Sequence, residues 1–90
     1  MKVVQKMHTI FKTRQYKILE NMYSNTVNVA GEEYCPLGQG NIAKELQISR
    51  TVINRMFAEL RETEYISIIT RGKWKLLYRA IHMIEITQKL

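Results

Sequence analysis

Apolar residues recur every three or four positions in four segments of this chain, a spacing that places them on one face of a helix. The segments are residues 1–11, 13–24, 39–47 and 49–63. Between the last two, Ile48 breaks the rhythm and is followed by Ser49, a residue type that often starts a helix. The pattern therefore predicts two short helices joined by a tight turn near the middle of the chain, with two further helices before them.

Residues 65–79 have a different pattern, which is typical of a β-hairpin. The β-branched run YISIIT is followed by the turn signal Arg71-Gly72-Lys73 and then by WKLLYR as a partner strand. Two shorter segments upstream also favour strands. Residues 26–30 alternate, and residues 34–37 form a second candidate that Pro36 would restrict to a sheet edge. The chain is thus predicted to be α+β and mainly helical.

Residues 80–90 suit either a helix or a strand. A helix is favoured because Ala80, Ile81 and Ile84 share one helical face. Further apolar side chains lie off that face, at Met83, Ile86 and Leu90. Such a helix would be apolar on more than one side, which a domain of this size can hardly cover. This segment therefore predicts a homodimer in which terminal segments of two subunits pair.

The solvent side of the segment 49–63 begins with polar side chains and no acid. These side chains are Arg50, Thr51, Asn54 and Arg55. Arginine and asparagine are well suited to bind phosphates and base edges of DNA. The pattern favours a DNA-recognition helix at this point of the chain.

The segment NIAKELQISRTVINRMFAELRETEYI, residues 41–66, resembles the helix-turn-helix of winged-helix bacterial regulators, the group that includes MarR-like and GntR-like repressors. The matching positions are Ile42, Ala43, Leu46, Ile48, Ser49, Arg50, Ile53, Arg55, Phe57, Leu60 and Ile66. The chain departs from the family pattern at Gln47 and Glu64, where the family usually has glycine. Because a turn with positive φ favours glycine, Gln47 is expected to carry about 1 kcal/mol of strain or to rearrange the turn.

The resemblance implies one winged helix-turn-helix domain over residues 1–90, with a three-helix core, a β-hairpin wing and extra N- and C-terminal helices. It also implies sequence-specific binding of double-stranded DNA, with the wing adding to the grip of the second helix of the motif. The expected contact residues are Ser49, Arg50, Thr51, Val52, Asn54, Arg55, Arg71, Lys73 and Lys75.

Each side chain in the recognition segment has a chemistry that fits a particular part of DNA. Arg50 and Arg55 are suited to phosphate or guanine, and Asn54 to adenine. Ser49 would cap the helix and donate to a phosphate, while Val52 would pack on a thymine methyl group. The lysines and arginine of the wing would contact phosphates and add DNA affinity that decreases as the salt concentration rises.

The distribution of charge supports a polyanionic partner. The chain of 90 residues has a formal net charge of +6, and neither residues 1–17 nor residues 71–79 contain an acid. Segregated basic segments favour a surface that faces nucleic acid. A domain this small also buries a limited fraction of its surface, so a dimer interface would add stability.

No constellation in the sequence supports catalysis, a metal or a cofactor. His8 and His82 are at metal-ligand spacing neither with each other nor with Cys35. Cys35 is the single cysteine and is expected to be a small buried apolar residue. With no apolar run near the roughly 20 residues of a membrane span and no apolar core of a secretion signal, the sequence predicts a cytoplasmic protein that is not an enzyme. Whether it binds a small effector molecule stays open.

Two other functions remain compatible with the sequence. The same small fold would suit a plasmid or phage accessory protein that binds DNA at a replication or transfer origin. Alternatively, a winged helix can serve as a protein interaction module without DNA binding. The combination of an acid-free helix face and an acid-free wing favours DNA, with regulation of transcription as the leading role.

Overall fold

Four helices and two β-hairpins make up residues 14–89, the part of the chain that the computed structural model describes. The helices are α1 (Arg14–Ser24), α2 (Gln39–Leu46), α3 (Arg50–Glu62) and α4 (Tyr78–Gln88). The strands are β1 (Val27–Val29), β2 (Glu32–Tyr34), β3 (Ile66–Thr70) and β4 (Lys73–Leu76). The prediction of an α+β, mainly helical domain is confirmed. The helix predicted over residues 1–11 lies outside the described residues.

The core forms where the apolar faces of the helices meet the inner side of β4. Each helix contributes fully or almost fully buried side chains at the spacing that the sequence shows. The largest are Ile18, Leu19, Met22, Ile42, Ile53, Phe57 and Ile84. The ring of Phe57 meets that of Trp74 nearly edge-on, with ring centroids 4.8 Å apart and planes at 75°. This aromatic pair joins α3 to the second hairpin.

The two hairpins are connected through a single backbone pairing. The Cys35 N–H donates to the Trp74 carbonyl at 2.6 Å, and the Trp74 N–H donates to the Cys35 carbonyl at 3.0 Å. The strand predicted over residues 34–37 is shifted, because β2 spans Glu32–Tyr34 and pairs with β1, while Cys35 forms an isolated pairing with Trp74 of β4. Pro36 has no N–H to extend it. As a result, β4 lies between β3 and the segment that leads into α2.

The C-terminal segment is helical up to Gln88. Helix α4 begins at Tyr78, two residues before the predicted segment, and it buries Ala80 and Ile84 against the core that α1 also lines. Arg79, the last residue of the predicted hairpin segment 65–79, lies in α4 and contacts residues that follow α3. Its Nη1 donates to the Thr63 carbonyl at 2.9 Å, and its guanidinium lies 5.4 Å from the centroid of the Tyr65 ring.

Two of the helices end at residues in the left-handed conformation. Gln47 has φ 56° after α2, and Glu64 has φ 64° after α3. In both cases the next N–H reaches back five residues, from Ile48 to the Ala43 carbonyl at 2.9 Å and from Tyr65 to the Leu60 carbonyl at 2.9 Å. This is the Schellman ending of a helix, in which glycine is favoured because it has no Cβ. The tight turn thus keeps its geometry without glycine.

Replacing Gln47 or Glu64 by glycine is expected to raise the free energy of unfolding by about 0.5–1 kcal/mol each, because it removes the cost of a Cβ in the left-handed region. Urea denaturation followed by circular dichroism measures this. Ala58→Gly is the matched control, since Ala58 is an exposed residue in the interior of α3, where glycine is expected to cost about 1 kcal/mol. Equal destabilisation by Ala58→Gly and Glu64→Gly would contradict the stabilising effect of glycine in the turn.

Candidate nucleic-acid interface

Helix α3 begins at the position that the sequence predicts, with Ser49 as its cap. The Ser49 Oγ accepts the Val52 N–H at 3.3 Å, and the Ser49 carbonyl accepts the Ile53 N–H at 2.9 Å. The hydroxyl uses a lone pair in the cap, so its hydrogen remains able to donate to a phosphate oxygen. Since α3 buries Ile53, Met56, Phe57 and Leu60, its opposite side is turned to solvent.

That solvent side presents four exposed polar side chains, Arg50, Thr51, Asn54 and Arg55. They occupy adjacent turns, because residues four apart lie above each other on a helix. The Arg50 Nε donates to the Asn54 Oδ1 at 3.4 Å, so the two side chains form a pair. The patch carries two positive charges and amide and hydroxyl groups, which matches the donors and acceptors of DNA.

The acids of α3 lie further along the helix. Glu59 accepts a hydrogen bond from the Gln15 Nε2 at 2.8 Å, which ties it to α1. Glu62 follows in the last turn. The first two turns of α3 therefore keep their positive charge without a neighbouring carboxylate from the same helix.

Val52 is placed differently from the other predicted contact residues of α3. Its side chain is half-buried and packs against the core cluster. It also lines a cleft between α1 and the turn that precedes α3. A contact between Val52 and a thymine methyl group would use only the outer part of this side chain.

The predicted wing is the hairpin of β3 and β4, which turns at Gly72 with φ 83°. Arg71 and Lys73 are exposed at this tip. The register shifts between Ile68 and Thr70, which marks a bulge in β3. Positive charge is therefore presented at the end of the hairpin.

Two of the three predicted wing contacts have neighbours on β2. The Lys73 Nζ lies 4.6 Å from the centroid of the Tyr34 ring, a cation–π geometry. Lys75 lines a cleft of about 380 Å³ together with Glu33 and Glu85. Lys75 therefore shares its cleft with two carboxylates, whereas residues 70–73 at the tip of the hairpin contain no acid.

Gly40 in α2 leaves room for the Arg50 side chain, a role that the sequence does not reveal. A Cβ at this position would lie 2.8 Å from the Arg50 Nη1, closer than real Cβ atoms come. The guanidinium of Arg50 therefore passes directly over the first turn of α2, where any larger residue would displace it. No pattern in the sequence signals this contact, because it depends on how α2 and α3 cross.

Cys35 and His82 lie in different environments in the structure. Cys35 is fully buried, and burial raises the pKa of its thiol, so it stays protonated at neutral pH. His82 is exposed and stacks on Tyr78 with ring centroids 5.5 Å apart, while His8 lies outside the described residues. Within residues 14–89, no group of three or more His, Cys, Asp or Glu side chains is arranged to hold a metal ion.

Comparison with known proteins adds no relative. The chain matches no protein-family model, no curated protein and no solved structure. No helix within residues 14–89 combines the length and apolar character that a membrane span requires. A function for this protein must therefore be argued from the arrangement of its own side chains.

Proposed function

We propose that this protein is a winged helix-turn-helix protein that binds double-stranded DNA in a sequence-specific way. The observation that carries the proposal is the exposed, acid-free face of α3 at Arg50, Thr51, Asn54 and Arg55, directly after a tight turn. Such a helix projects base-reading side chains from a short two-helix unit, which is how helix-turn-helix proteins enter the major groove.

The topology supports the same proposal. The described elements run helix, hairpin, helix, helix, hairpin, helix, and β4 pairs with the segment before α2 through Cys35 and Trp74. This pairing holds the second hairpin against the core beside α3. A hairpin held in this way, with Arg71 and Lys73 at its tip, is suited to contact the backbone or the minor groove next to the site of α3.

We propose a homodimer acting as a small transcriptional regulator as the biological form. In α4, Ile81 and Met83 are only partly buried against the core of one subunit, which supports a further packing partner. A two-fold dimer would bind two half-sites related by an inverted repeat. The same dimer would serve at a replication or transfer origin.

Retention on duplex DNA as salt is raised tests the proposed binding. We expect the protein to be held at low salt and released progressively, since cation–phosphate contacts release counterions. A protein that passes through the column at low salt would contradict DNA binding.

A protein interaction module is the second candidate, favoured by two exposed apolar features. Val29 is 54% exposed on β1, and Tyr78 is 77% exposed on α4. Contiguous exposed apolar residues mark interaction surfaces, and Val27, which is 38% exposed, lies on the same face of β1 as Val29. In that case, Val29→Ser and Tyr78→Ser would abolish the protein's association with a partner and leave any binding of duplex DNA unchanged.

Gly40→Ala is expected to weaken DNA binding several-fold without lowering stability. Alanine raises helix propensity in α2 by about 0.5–1 kcal/mol, while its Cβ makes the flexible end of the Arg50 side chain shift from its position over Gly40. Fluorescence anisotropy with a duplex and urea denaturation measure the two effects. Gly38→Ala is the control, because a Cβ there meets nothing within 4 Å. Full DNA affinity in Gly40→Ala would show that the position of Arg50 does not matter.

A further inference from the structure

A basic cleft lies beside the recognition face, between α1 and the turn that joins α2 to α3. Its volume is about 430 Å³. Arg14 and Lys17 line it from α1, Gln47 lines it from the turn, and Ser49 and Val52 line it from the start of α3. Two cations from a different helix thus face the same space as the first residues of α3.

The positive charge of Arg14 and Lys17 is not neutralised by any acid among the described residues that line the cleft. Three acids near α1 do not line the cleft. Glu20 accepts from the Tyr16 hydroxyl at 3.4 Å, Glu45 accepts from the Asn21 Nδ2 at 2.8 Å, and Glu59 accepts from the Gln15 Nε2 at 2.8 Å. These hydrogen bonds hold the carboxylates outside the cleft, although they leave the charges in place. Arg14 and Lys17 are both exposed, so their charges are available to an anion from outside.

The cleft lies next to the proposed reading face of α3, and this position favours a DNA phosphate as its anion. Ser49 and Val52 line the cleft, while Arg50 and Thr51 between them belong to the proposed reading face. A duplex whose major groove receives α3 would therefore carry its sugar–phosphate backbone past the opening of the cleft. Arg14 and Lys17 lie one helical turn apart on α1, so each can contact a phosphate of the same DNA strand, whereas a single small anion would occupy only one position.

We propose that Arg14 and Lys17 bind backbone phosphates of duplex DNA in this cleft, so that α1 holds the strand while α3 reads the bases. This inference rests on the proposed function and extends it to a third element, beyond α3 and the wing. Contacts to phosphate set the register of a protein on DNA and carry no sequence information of their own. Arg14 and Lys17 thus contribute affinity and orientation, and the choice of sequence stays with α3.

The double variant Arg14→Gln/Lys17→Gln tests this assignment by its salt dependence. Each lost phosphate contact lowers the slope of log K against log salt by about 0.9, so the slope is expected to be less steep by about 1.8. Affinity should fall by the same factor for the preferred and for an unrelated duplex. Arg61→Gln/Lys89→Gln is the matched control, with the same change of net charge at two exposed residues outside the cleft.

Three results would overturn the inference. An unchanged slope in the double variant would do so, as would an equal change in the control pair. A loss of stability with an unchanged slope would mean that the two cations only stabilise the carbonyl end of α2, next to which they lie. If the unmodified protein binds no duplex at low salt, the proposed function fails as well, whereas normal binding with an unchanged slope removes this inference alone.

Discussion

Trp74→Ala is expected to lower the free energy of unfolding by about 3–5 kcal/mol, the range for removing a large buried aromatic side chain. Trp74 is 7% exposed, packs edge-on against Phe57 and sits where the backbone of β4 pairs with Cys35. The substitution leaves a cavity at the point where α3, the first hairpin and the second hairpin meet. Since native proteins are stable by only about 5–15 kcal/mol, this single change would remove a substantial part of the total stability.

Urea denaturation followed by far-ultraviolet circular dichroism measures the effect of Trp74→Ala, because Trp74 is the single tryptophan and its fluorescence is lost with it. Trp74→Phe retains most of the buried area and should recover much of the stability. Tyr78→Ala provides a control at an aromatic residue that is 77% exposed, where the change should stay within about 0.5 kcal/mol. A similarly small change for Trp74→Ala would mean that the packing of Trp74 against Phe57 contributes little to stability.

Asn54→Ala is expected to remove the preference for one base pair in the binding site, with a loss of about 1–3 kcal/mol on the preferred duplex and little on unrelated ones. Asn54 is exposed, so the fold should be unaffected. Its Oδ1 accepts from the Arg50 Nε, which means that Arg50 orients the amide that would read the base. Effects of Arg50→Ala and Asn54→Ala should therefore fail to add in a double-mutant cycle.

Anisotropy titrations with the preferred duplex and with single-base-pair variants of it measure the loss of discrimination. Arg61→Ala is the control within the same helix, since Arg61 lies in the last turn of α3, away from the reading face. It should preserve the preference and reduce affinity slightly for all duplexes alike. Unchanged discrimination in Asn54→Ala would mean that this face of α3 does not read bases.

The sequence was most informative where structure depends on neighbouring residues. Apolar periodicity located α1 to α3 to within one or two residues, and Ser49 correctly marked the start of α3. The resemblance to winged-helix regulators implied a positive φ at Gln47 and Glu64, where that family usually has glycine, and both residues have one. Periodicity also favoured a helix for residues 80–90. Helix α4 begins two residues earlier, at Tyr78, and nothing in the sequence indicated this start because Leu77 before it has no side chain that can cap a helix.

Features that depend on contacts between distant parts of the chain were not visible in the sequence. The pairing of Cys35 with Trp74 joins residues 39 positions apart. Arg79 looked like a base of the wing, yet it binds the Thr63 carbonyl at the end of α3. Arg14 and Lys17 belonged to an acid-free segment whose contribution to a cleft appears only when α1 packs beside the turn between α2 and α3.

Selection of binding sites from random duplexes shows whether this protein reads a DNA sequence. Sequence-specific binding by a winged-helix dimer predicts that successive rounds enrich one common site, arranged as an inverted repeat whose halves are centred about one helical turn apart. The enriched duplex should be bound at least about a thousandfold more tightly than random DNA at the same salt concentration. Recovery of sequences with no common site, or equal affinity for enriched and random duplexes, would show that the protein does not bind DNA in a sequence-specific way.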